Sequence, residues 1–155
     1  MTAVIIRHLA KHQEVLPVLQ AWFESEWPAH YGPGGRGDAR QDLLAYSNAG
    51  SVPIGFVAFR GGVPCGFAAL KREAFATHPQ LSPWAGAAYV EPALRRQGIG
   101  RALVASLEAE ARRLGYPRIY GATSTAGSLL ERCRWSLLES VVHDGEQVAV
   151  YEKAL

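Results

Sequence analysis

The chain has 155 residues, of which 48% are hydrophobic and 19% charged, and its formal net charge is +2. This length suits a single domain over residues 1–155, and the apolar content supports a core and excludes a disordered chain. The small net charge argues against a general nucleic-acid binder, and no apolar run approaches the roughly 20 residues that a membrane-spanning helix needs.

The cysteines and the N-terminal segment bear on location. Cys65 and Cys133 have no CxxC spacing and cannot make a disulfide framework. Met1–Ala10 contains Arg7 and His8 and lacks the uninterrupted apolar stretch of a signal peptide. We therefore expect a cytoplasmic protein, since a reducing compartment is the usual one for such a chain.

Strands are predicted where β-branched and aromatic residues cluster between turn residues. Gly61-Gly62 and Asp144-Gly145 can supply the positive φ angles of tight hairpin turns. Trp84–Val90 is almost wholly apolar, which indicates a central strand covered on both faces. The expected strands are Ala3–His8, Ile54–Arg60, Val63–Lys71, Trp84–Val90, Arg118–Thr123, Ser136–His143 and Gln147–Lys153.

Helices are predicted from a 3.6-residue apolar period and from capping residues. The clearest spans Gly98–Leu114, with Gly115 placed to end it and with Glu108 and Arg112 expected on its outer face. Asp38 is the expected cap of the second helix, and Ser124 or Thr125 that of the last. The glycine-rich segment His30–Asp38 is expected to be a mobile loop. The expected helices are Glu14–Ser25, Asp38–Ser47, Gly98–Leu114 and Thr125–Cys133.

The element order is β-α-α-β-β-β-α-β-α-β-β. A helix that crosses from Trp84–Val90 to Arg118–Thr123 makes these two strands parallel, whereas the short connections elsewhere favour antiparallel pairs. The sequence therefore predicts an α/β (α+β) fold with a mixed sheet.

The turn before the longest helix carries the strongest functional signal. It reads Arg95-Arg96-Gln97-Gly98-Ile99-Gly100-Arg101. Glycines at a helix start let a ligand lie on backbone N–H groups, which have no partner in the helix and lie at its positive end. With three arginines beside them, these groups suit a polyphosphate. The alternative is an ordinary glycine-rich helix start with a solvated basic face.

Two common phosphate motifs do not fit this turn. A Walker loop needs Gly-Lys-Ser/Thr, but Gly100 is followed by Arg101-Ala102. A dinucleotide fingerprint needs a small residue where Leu103 stands and an acidic residue after the next strand, and both are missing. The spacing that does fit is Arg/Gln-x-x-Gly-x-Gly/Ala.

With Tyr89-Val90-Glu91-Pro92 just before it, this stretch resembles the GNAT acetyltransferase superfamily, and the resemblance is strongest over Pro83–Trp135. It implies a twisted sheet of about seven strands, flanked by about four helices and splayed open after Val90. Acetyl-CoA would lie in that notch, its pyrophosphate on the backbone of Arg96–Arg101 and its pantetheine arm along Tyr89 and Val90. The implied cofactor-binding residues are Tyr89, Val90, Arg95, Arg96, Gln97, Gly98, Ile99, Gly100 and Arg101.

The resemblance implies an N-acetyltransferase that moves an acetyl group from acetyl-CoA to a primary amine of a small molecule or peptide by direct attack. An alkyl amine is almost wholly charged at pH 7, so a base must take its proton. The acids expected near the acceptor are Glu24, Glu26, Asp38 and Glu73, and we favour Glu26 because it follows the first helix. The alternative is a solvated carboxylate at a helix end.

Members of this family often carry a tyrosine in the last helix that helps the thiol to leave, in a pattern like Tyr-x-x-x-Gly-Trp/Phe. Aligned on Trp135, the tyrosine position holds Leu130 and the glycine position holds Arg134. Tyr31 and Ser128 are substitute acids. These departures leave open a second hypothesis, a sensor or regulatory module that binds acetyl-CoA without catalysis.

The remaining expectations concern partners and metals. His8 and His12 are four residues apart but straddle a strand–helix boundary without a third ligand, so no metal is expected. The arginines lack interleaved aromatic residues, which argues against nucleic acid as a partner. We expect an amine substrate, no membrane contact, and a monomer or homodimer.

Overall fold

The protein folds around one mixed seven-stranded sheet, seen in a computed structural model that describes residues 3–72 and 75–155. The strand order is β1-β2-β3-β4-β5-β7-β6, and in this described part of the chain β4 and β5 form the one parallel pair, as predicted. The strands are β1 (Val4–His8), β2 (Ile54–Arg60), β3 (Val63–Lys71), β4 (Trp84–Val90), β5 (Arg118–Thr123), β6 (Ser136–His143) and β7 (Glu146–Ala154).

Five helices accompany the sheet within the described residues, one more than expected. The additional one is a single turn that Pro28 begins, directly after the first helix ends. Short 3₁₀ turns cover Leu9–Lys11, Gln13–Val15 and Pro92–Leu94. The helices are α1 (Leu16–Glu26), α2 (Pro28–Tyr31), α3 (Ala39–Tyr46), α4 (Ile99–Arg113) and α5 (Gly127–Arg132).

The helices divide between the two faces of the sheet. On one face, α4 buries Ile99, Leu103 and Leu107 against β2 and β3. On the other face, α1 and α3 cover Phe67 and neighbouring residues of β2 and β3 with an apolar cluster. The face covered by α1 and α3 is the one on which the candidate site opens.

Both predicted hairpin turns are confirmed. Gly61 and Gly62 have φ angles of 59° and 78°, and Asp144 and Gly145 have φ angles of 50° and 76°. Positive φ at both central residues gives a turn whose twist matches that of the flanking strands. The glycine-rich segment after α2 folds back on that helix, where Gly37 N donates to His30 O over 2.8 Å.

Two expectations about helix side chains were wrong. Glu108 is buried, with 9% of its surface exposed, because it accepts hydrogen bonds from Trp135 Nε1 and Lys153 Nζ, each over 2.8 Å. Neither Ser124 nor Thr125 is the N-cap of α5. Instead, Thr123 Oγ1 accepts hydrogen bonds from the amides of Thr125 and Ala126 just before the helix.

Candidate functional site

The sheet opens between β4 and β5. The two strands pair only at Trp84 with Tyr120 and at Ala85 with Gly121. Beyond that point β4 carries a bulge, since three steps from Gly86 to Tyr89 face two steps on β3, and Ala87 takes a φ of 51°. Because a bulge bends its strand, the rest of β4 diverges from β5 and exposes backbone groups that a partner strand would otherwise bind.

A cleft of about 250 Å³ occupies this notch. It opens on the α1–α3 face, because Lys71 lies two residues beyond Ala69 on β3 and side chains alternate along a strand. The lining combines small residues of β4 with the end of β5. It consists of Lys71, Phe75, Ala85, Gly86, Ala87, Ala122, Thr123, Ser124 and Val148.

Lys71 supplies the charge of this cleft, and sequence reasoning missed it. Its side chain lies over Gly86, where an added Cβ would be 2.9 Å from Lys71 Cδ. Burial lowers the pKa of the Lys71 ammonium, while Asp42 on α3 acts in the opposite direction. The available signal was a lysine at the end of an apolar strand whose neighbour contains Ala-Gly-Ala-Ala.

The N-terminus of α4 has the geometry of an anion cradle. Gly98 precedes the helix with a φ of 88°, and an added Cβ there would meet no atom within 4 Å. The first helical hydrogen bond runs from Ala102 N to Gly98 O over 3.0 Å. The amides of Ile99, Gly100 and Arg101 therefore have no helical acceptor, at the positive end of a 15-residue helix. A pyrophosphate group fits this arrangement.

The two glycines of this turn have different roles. At Gly100 an added Cβ would lie 3.1 Å from Leu129 Cδ2, so this glycine permits α4 to approach α5. Gly98 instead permits the left-handed backbone, and a Cβ added there would enter open space at the start of α4. The side chain of Ile99 is buried in the core, so only its backbone is available to a ligand.

The family profile named Acetyltransferase (GNAT) family matches residues 18–129, well over half of the chain. The chain belongs to this family. No sequence match was found among curated proteins.

Three solved structures are similar to this chain over almost its whole length. An aminoglycoside 6′-N-acetyltransferase complexed with coenzyme A has a TM-score of 0.78 at 16% identity, over 97% of this chain and 96% of that one. YncA from Salmonella typhimurium, with its cofactor acetyl-CoA, has a TM-score of 0.75 at 18% identity, over 99% of this chain and 94% of that one. Ribosomal-protein-alanine N-acetyltransferase from Brucella melitensis has a TM-score of 0.75 at 21% identity, over 97% of this chain and 99% of that one. At these identities the likeness concerns the fold alone.

In this GNAT chain, two side chains of the cradle sequence are engaged away from the α4 amides. Arg95 Nε donates to Val90 O over 2.9 Å, and its guanidinium lies 5.8 Å from the centre of the Tyr89 ring. Gln97 Oε1 accepts from Arg60 Nη1 over 2.7 Å. The Tyr89 ring in turn stacks on Trp22 of α1, with 4.9 Å between ring centres. Backbone amides, together with the exposed Arg96 and Arg101, remain for an anion.

Glu26 lies beside the end of β4. Its Oε2 atom is 3.8 Å from Arg95 Nη2, and its side chain is 40% exposed. Of the other acids, Glu24 accepts from Gln20, Asp38 caps α3 by accepting from Gln41 N over 3.0 Å, and Glu73 is outside the described residues. Among the described alternatives, Glu26 is the acid that contacts the segment Arg95–Arg101, through the Arg95 side chain. It does not line the cleft.

Tyr31 lies on the α1–α3 face with its hydroxyl donating to Asp42 Oδ2 over 2.7 Å. Burial, and then this hydrogen bond, raise the pKa of Tyr31 well above its usual range. Burial and the charge of Asp42 also raise the pKa of Tyr46 to about 12. The Tyr31 proton is thus held by Asp42, and giving it to a thiolate would require that bond to break.

The structure explains the departures in α5. Leu130 is buried and packs on β5, since a Cβ added to Gly121 would lie 3.6 Å from Leu130 Cδ1. Arg134 has a φ of 69°, the left-handed conformation that glycine adopts most easily after a helix. Ser128 is exposed. The alignment with a glycine at position 134 therefore has a physical basis, while position 130 offers no proton donor.

Residues 3–72 and 75–155 hold neither a metal-binding cluster nor a membrane-spanning helix. Within these ranges no group of three or more His, Cys, Asp or Glu side chains is arranged to hold a metal ion. His8 instead contacts Glu110 and His12 contacts Glu14. No helix in the same ranges has the length and apolarity needed to cross a bilayer.

Proposed function

We propose that this chain is an N-acetyltransferase that moves an acetyl group from acetyl-CoA to a primary amine of a small molecule or peptide by direct attack. The observation that carries the proposal is the notch between β4 and β5, which meets an anion cradle at the start of α4 in a chain of the GNAT family. Acetyl-CoA supplies the thioester, and the protein supplies its position and the acceptor cleft.

The backbone performs most of the binding in this proposal. The amides of Ile99, Gly100 and Arg101 hold the pyrophosphate, with Arg96 and Arg101 adding charge. The edge of β4 near Tyr89 and Val90 holds the pantetheine arm. Beyond Ala85 this edge has no β5 partner, so its N–H groups are free to polarise a carbonyl in the notch.

Proton transfer is assigned to Glu26, acting through water. The carboxylate is partly exposed and lies at the end of β4, on the side of the sheet where the cleft opens. Tyr31 is the proposed proton donor to the leaving thiolate, and its hydrogen bond to Asp42 must break for this transfer. Since a free thiol has a pKa of about 8.5, thiolate can also leave without a strong acid.

A second function is favoured by one observation. Leu130 fills the tyrosine position with a buried apolar side chain, so the chain could bind acetyl-CoA as a sensor or regulatory module without catalysis. Both functions are proposed for the cytoplasm, in keeping with the unpaired Cys65 and Cys133, and for a monomer or a homodimer.

The test has two stages. The melting temperature is measured with and without acetyl-CoA, and release of CoA thiol is then followed over a panel of primary amines. We expect stabilisation by acetyl-CoA and amine-dependent thiol release. Stabilisation without release on any amine would support the regulatory module, and no stabilisation at all would contradict both functions.

A further inference from the structure

The acceptor side of the notch has a distinct chemical character. Of the described residues that line it, Lys71 is the one with a charged side chain. Phe75, Val148 and the alanines form apolar walls. A volume of about 250 Å³ lies below the 300–1,000 Å³ usual for small-molecule sites, which points to a compact acceptor.

Each polar side chain that lines this cleft can donate a hydrogen bond. Lys71 carries an ammonium, which has three N–H donors and no acceptor. Thr123 Oγ1 already accepts the amides of Thr125 and Ala126, over 3.1 and 2.8 Å, so its own proton can point into the cleft. Ser124 adds an exposed hydroxyl beside it. A ligand that brings acceptor oxygens would match these groups.

The position of Lys71 makes such a ligand favourable. The ammonium is held over Gly86, at the point where β4 leaves β5, and a Cβ added to Gly86 would be 3.9 Å from Lys71 Nζ. Burial disfavours its charge, as the lowered pKa indicates, and Asp42 is the neighbouring acid that favours it. Asp42 acts on Lys71 through its charge, while its Oδ2 atom accepts the hydrogen bond from Tyr31. An anion on the cleft side would offset the remaining cost of holding a partly buried charge.

We propose that the acceptor amine carries a compact anionic group, a carboxylate or a phosphate-type group, which Lys71 binds in the notch with the hydroxyl groups of Thr123 and Ser124. The proposal rests on the proposed acetyl transfer for the role of the amine, and it narrows the substrate class from amines in general to amino acids and their phosphate or phosphonate counterparts. Lys71 is a specificity-determining residue in this arrangement.

The experiment uses pairs of amines with similar basicity. ω-Amino carboxylates and ω-aminoalkylphosphonates of two to five carbons are each compared with the alkylamine of the same length. Binding to the CoA-loaded protein is measured by isothermal titration calorimetry, so that no acetyl group is consumed. We expect at least one anionic amine to bind, and to bind at least tenfold more tightly than its alkylamine partner. The carboxylate and phosphonate series together identify which anion the cleft accepts.

Variants assign the effect to Lys71. Lys71→Met should weaken binding of the anionic amine by about ten- to hundredfold, the range expected for a hydrogen bond to a charged group, and should leave the alkylamine unchanged. Lys71→Arg should retain much of the preference. Lys11→Met, the same change at an exposed lysine, should have no effect.

The failure of this proposal is separable from failure of the proposed function. Equal binding of both members of every pair, no binding of any anionic amine, or an equal loss for both members in Lys71→Met would each overturn it. If anionic amines bind through Lys71 but none is acetylated when acetyl-CoA replaces CoA, the binding proposal stands and acetyl transfer to this class fails.

Discussion

Glu108 carries a charge into the interior because donors from two distant elements meet it there. Trp135 approaches from the end of α5 and Lys153 from β7, and Lys153 Nζ also donates to Cys133 O over 2.8 Å. The i,i+4 spacing of Glu108 and Arg112 predicts a surface pair. Helical periodicity shows which residues share a face, but it does not show what packs on that face. A single charged residue at a buried position of a helix, such as Glu108, is therefore hard to predict from the periodicity of that helix alone.

Replacing Glu108 should destabilise the fold strongly. Glu108→Ala leaves the Trp135 indole N–H and the Lys153 ammonium without their acceptor, and we expect a loss of about 2–4 kcal/mol in the free energy of unfolding. Urea denaturation measures this loss, with Arg112→Ala on the same helix as the control. A loss below about 1 kcal/mol would mean that water replaces the carboxylate at little cost.

Arg134→Gly should stabilise the protein. The φ of 69° at Arg134 is costly for any residue with a Cβ, and glycine removes that cost at the end of α5. After the greater chain entropy of glycine is subtracted, we expect a net gain of about 0.5–1 kcal/mol, seen as a rise of about 1–4 °C in melting temperature. Arg132→Gly, inside α5, should instead lower the melting temperature. A decrease for both variants would show that the Arg134 side chain makes a contact that outweighs its backbone strain.

Glu26→Gln tests the proposed base. Loss of a general base typically costs about 10²–10⁴-fold in rate, so kcat should fall by that order while affinity for acetyl-CoA changes little. Raising the pH should recover part of the rate, because more amine is then neutral before it binds. Glu24→Gln, two residues earlier on α1, is the matched control. An equal effect of the two variants, or a loss that is confined to acetyl-CoA affinity, would remove Glu26 from proton transfer.

At the level of elements, the sequence predicted the strands almost residue by residue and the parallel β4–β5 pair as well. These elements depend on local signals: β-branched runs, Asp-Gly and Gly-Gly turns, and an N-cap at Asp38 that accepts from Gln41 N. The resemblance to the GNAT family predicts the anion cradle from one such signal, the Gly98-Ile99-Gly100 turn before α4. Lys71, Phe75 and Val148 could not be grouped in this way, because they come from separate elements that meet only in the folded sheet.

Gly98→Ala, compared with a similar change elsewhere, should distinguish loss of acetyl-CoA binding at the cradle from loss of stability through backbone strain. Alanine at a φ of 88° should cost about 1–2 kcal/mol of stability, and its methyl group would enter the open space at the N-terminus of α4. We therefore expect acetyl-CoA affinity to fall at least tenfold, measured by calorimetry. Gly62→Ala, at a φ of 78° with equally open surroundings in the β2–β3 turn, should lose similar stability and keep its affinity. Equal affinities in the two variants would contradict the cradle.

On the scale of the whole molecule, the sheet consists of two antiparallel halves, β1–β4 and β5–β7, that share two paired positions. One further backbone bond, from Tyr120 N to Pro83 O over 3.0 Å, lies at the same end. Elements with few shared hydrogen bonds open at lower free energy than the rest of a fold. The junction is therefore expected to be the part of the sheet that responds most to a ligand in the notch.

Hydrogen exchange followed by mass spectrometry measures that response. On addition of acetyl-CoA, amides of Gly86–Val90 and Arg118–Thr123 should gain more protection than those of β1 and β2, because the ligand would lie between the former two segments. In Gly98→Ala, at the same acetyl-CoA concentration, the gain should shrink. Equal protection gained across β1, β2, β4 and β5 would indicate global stabilisation without a ligand in the junction.

The small residues at this junction also limit how the protein can be made more heat-resistant. Larger apolar side chains at Ala122 would fill the gap between the halves and bury more apolar surface, which favours the folded state. The same side chains would occupy the space in which acetyl-CoA and the amine are proposed to meet. Selection for survival at high temperature alone would therefore enrich substitutions that seal the notch, and only a simultaneous screen for acetyl transfer would keep it open.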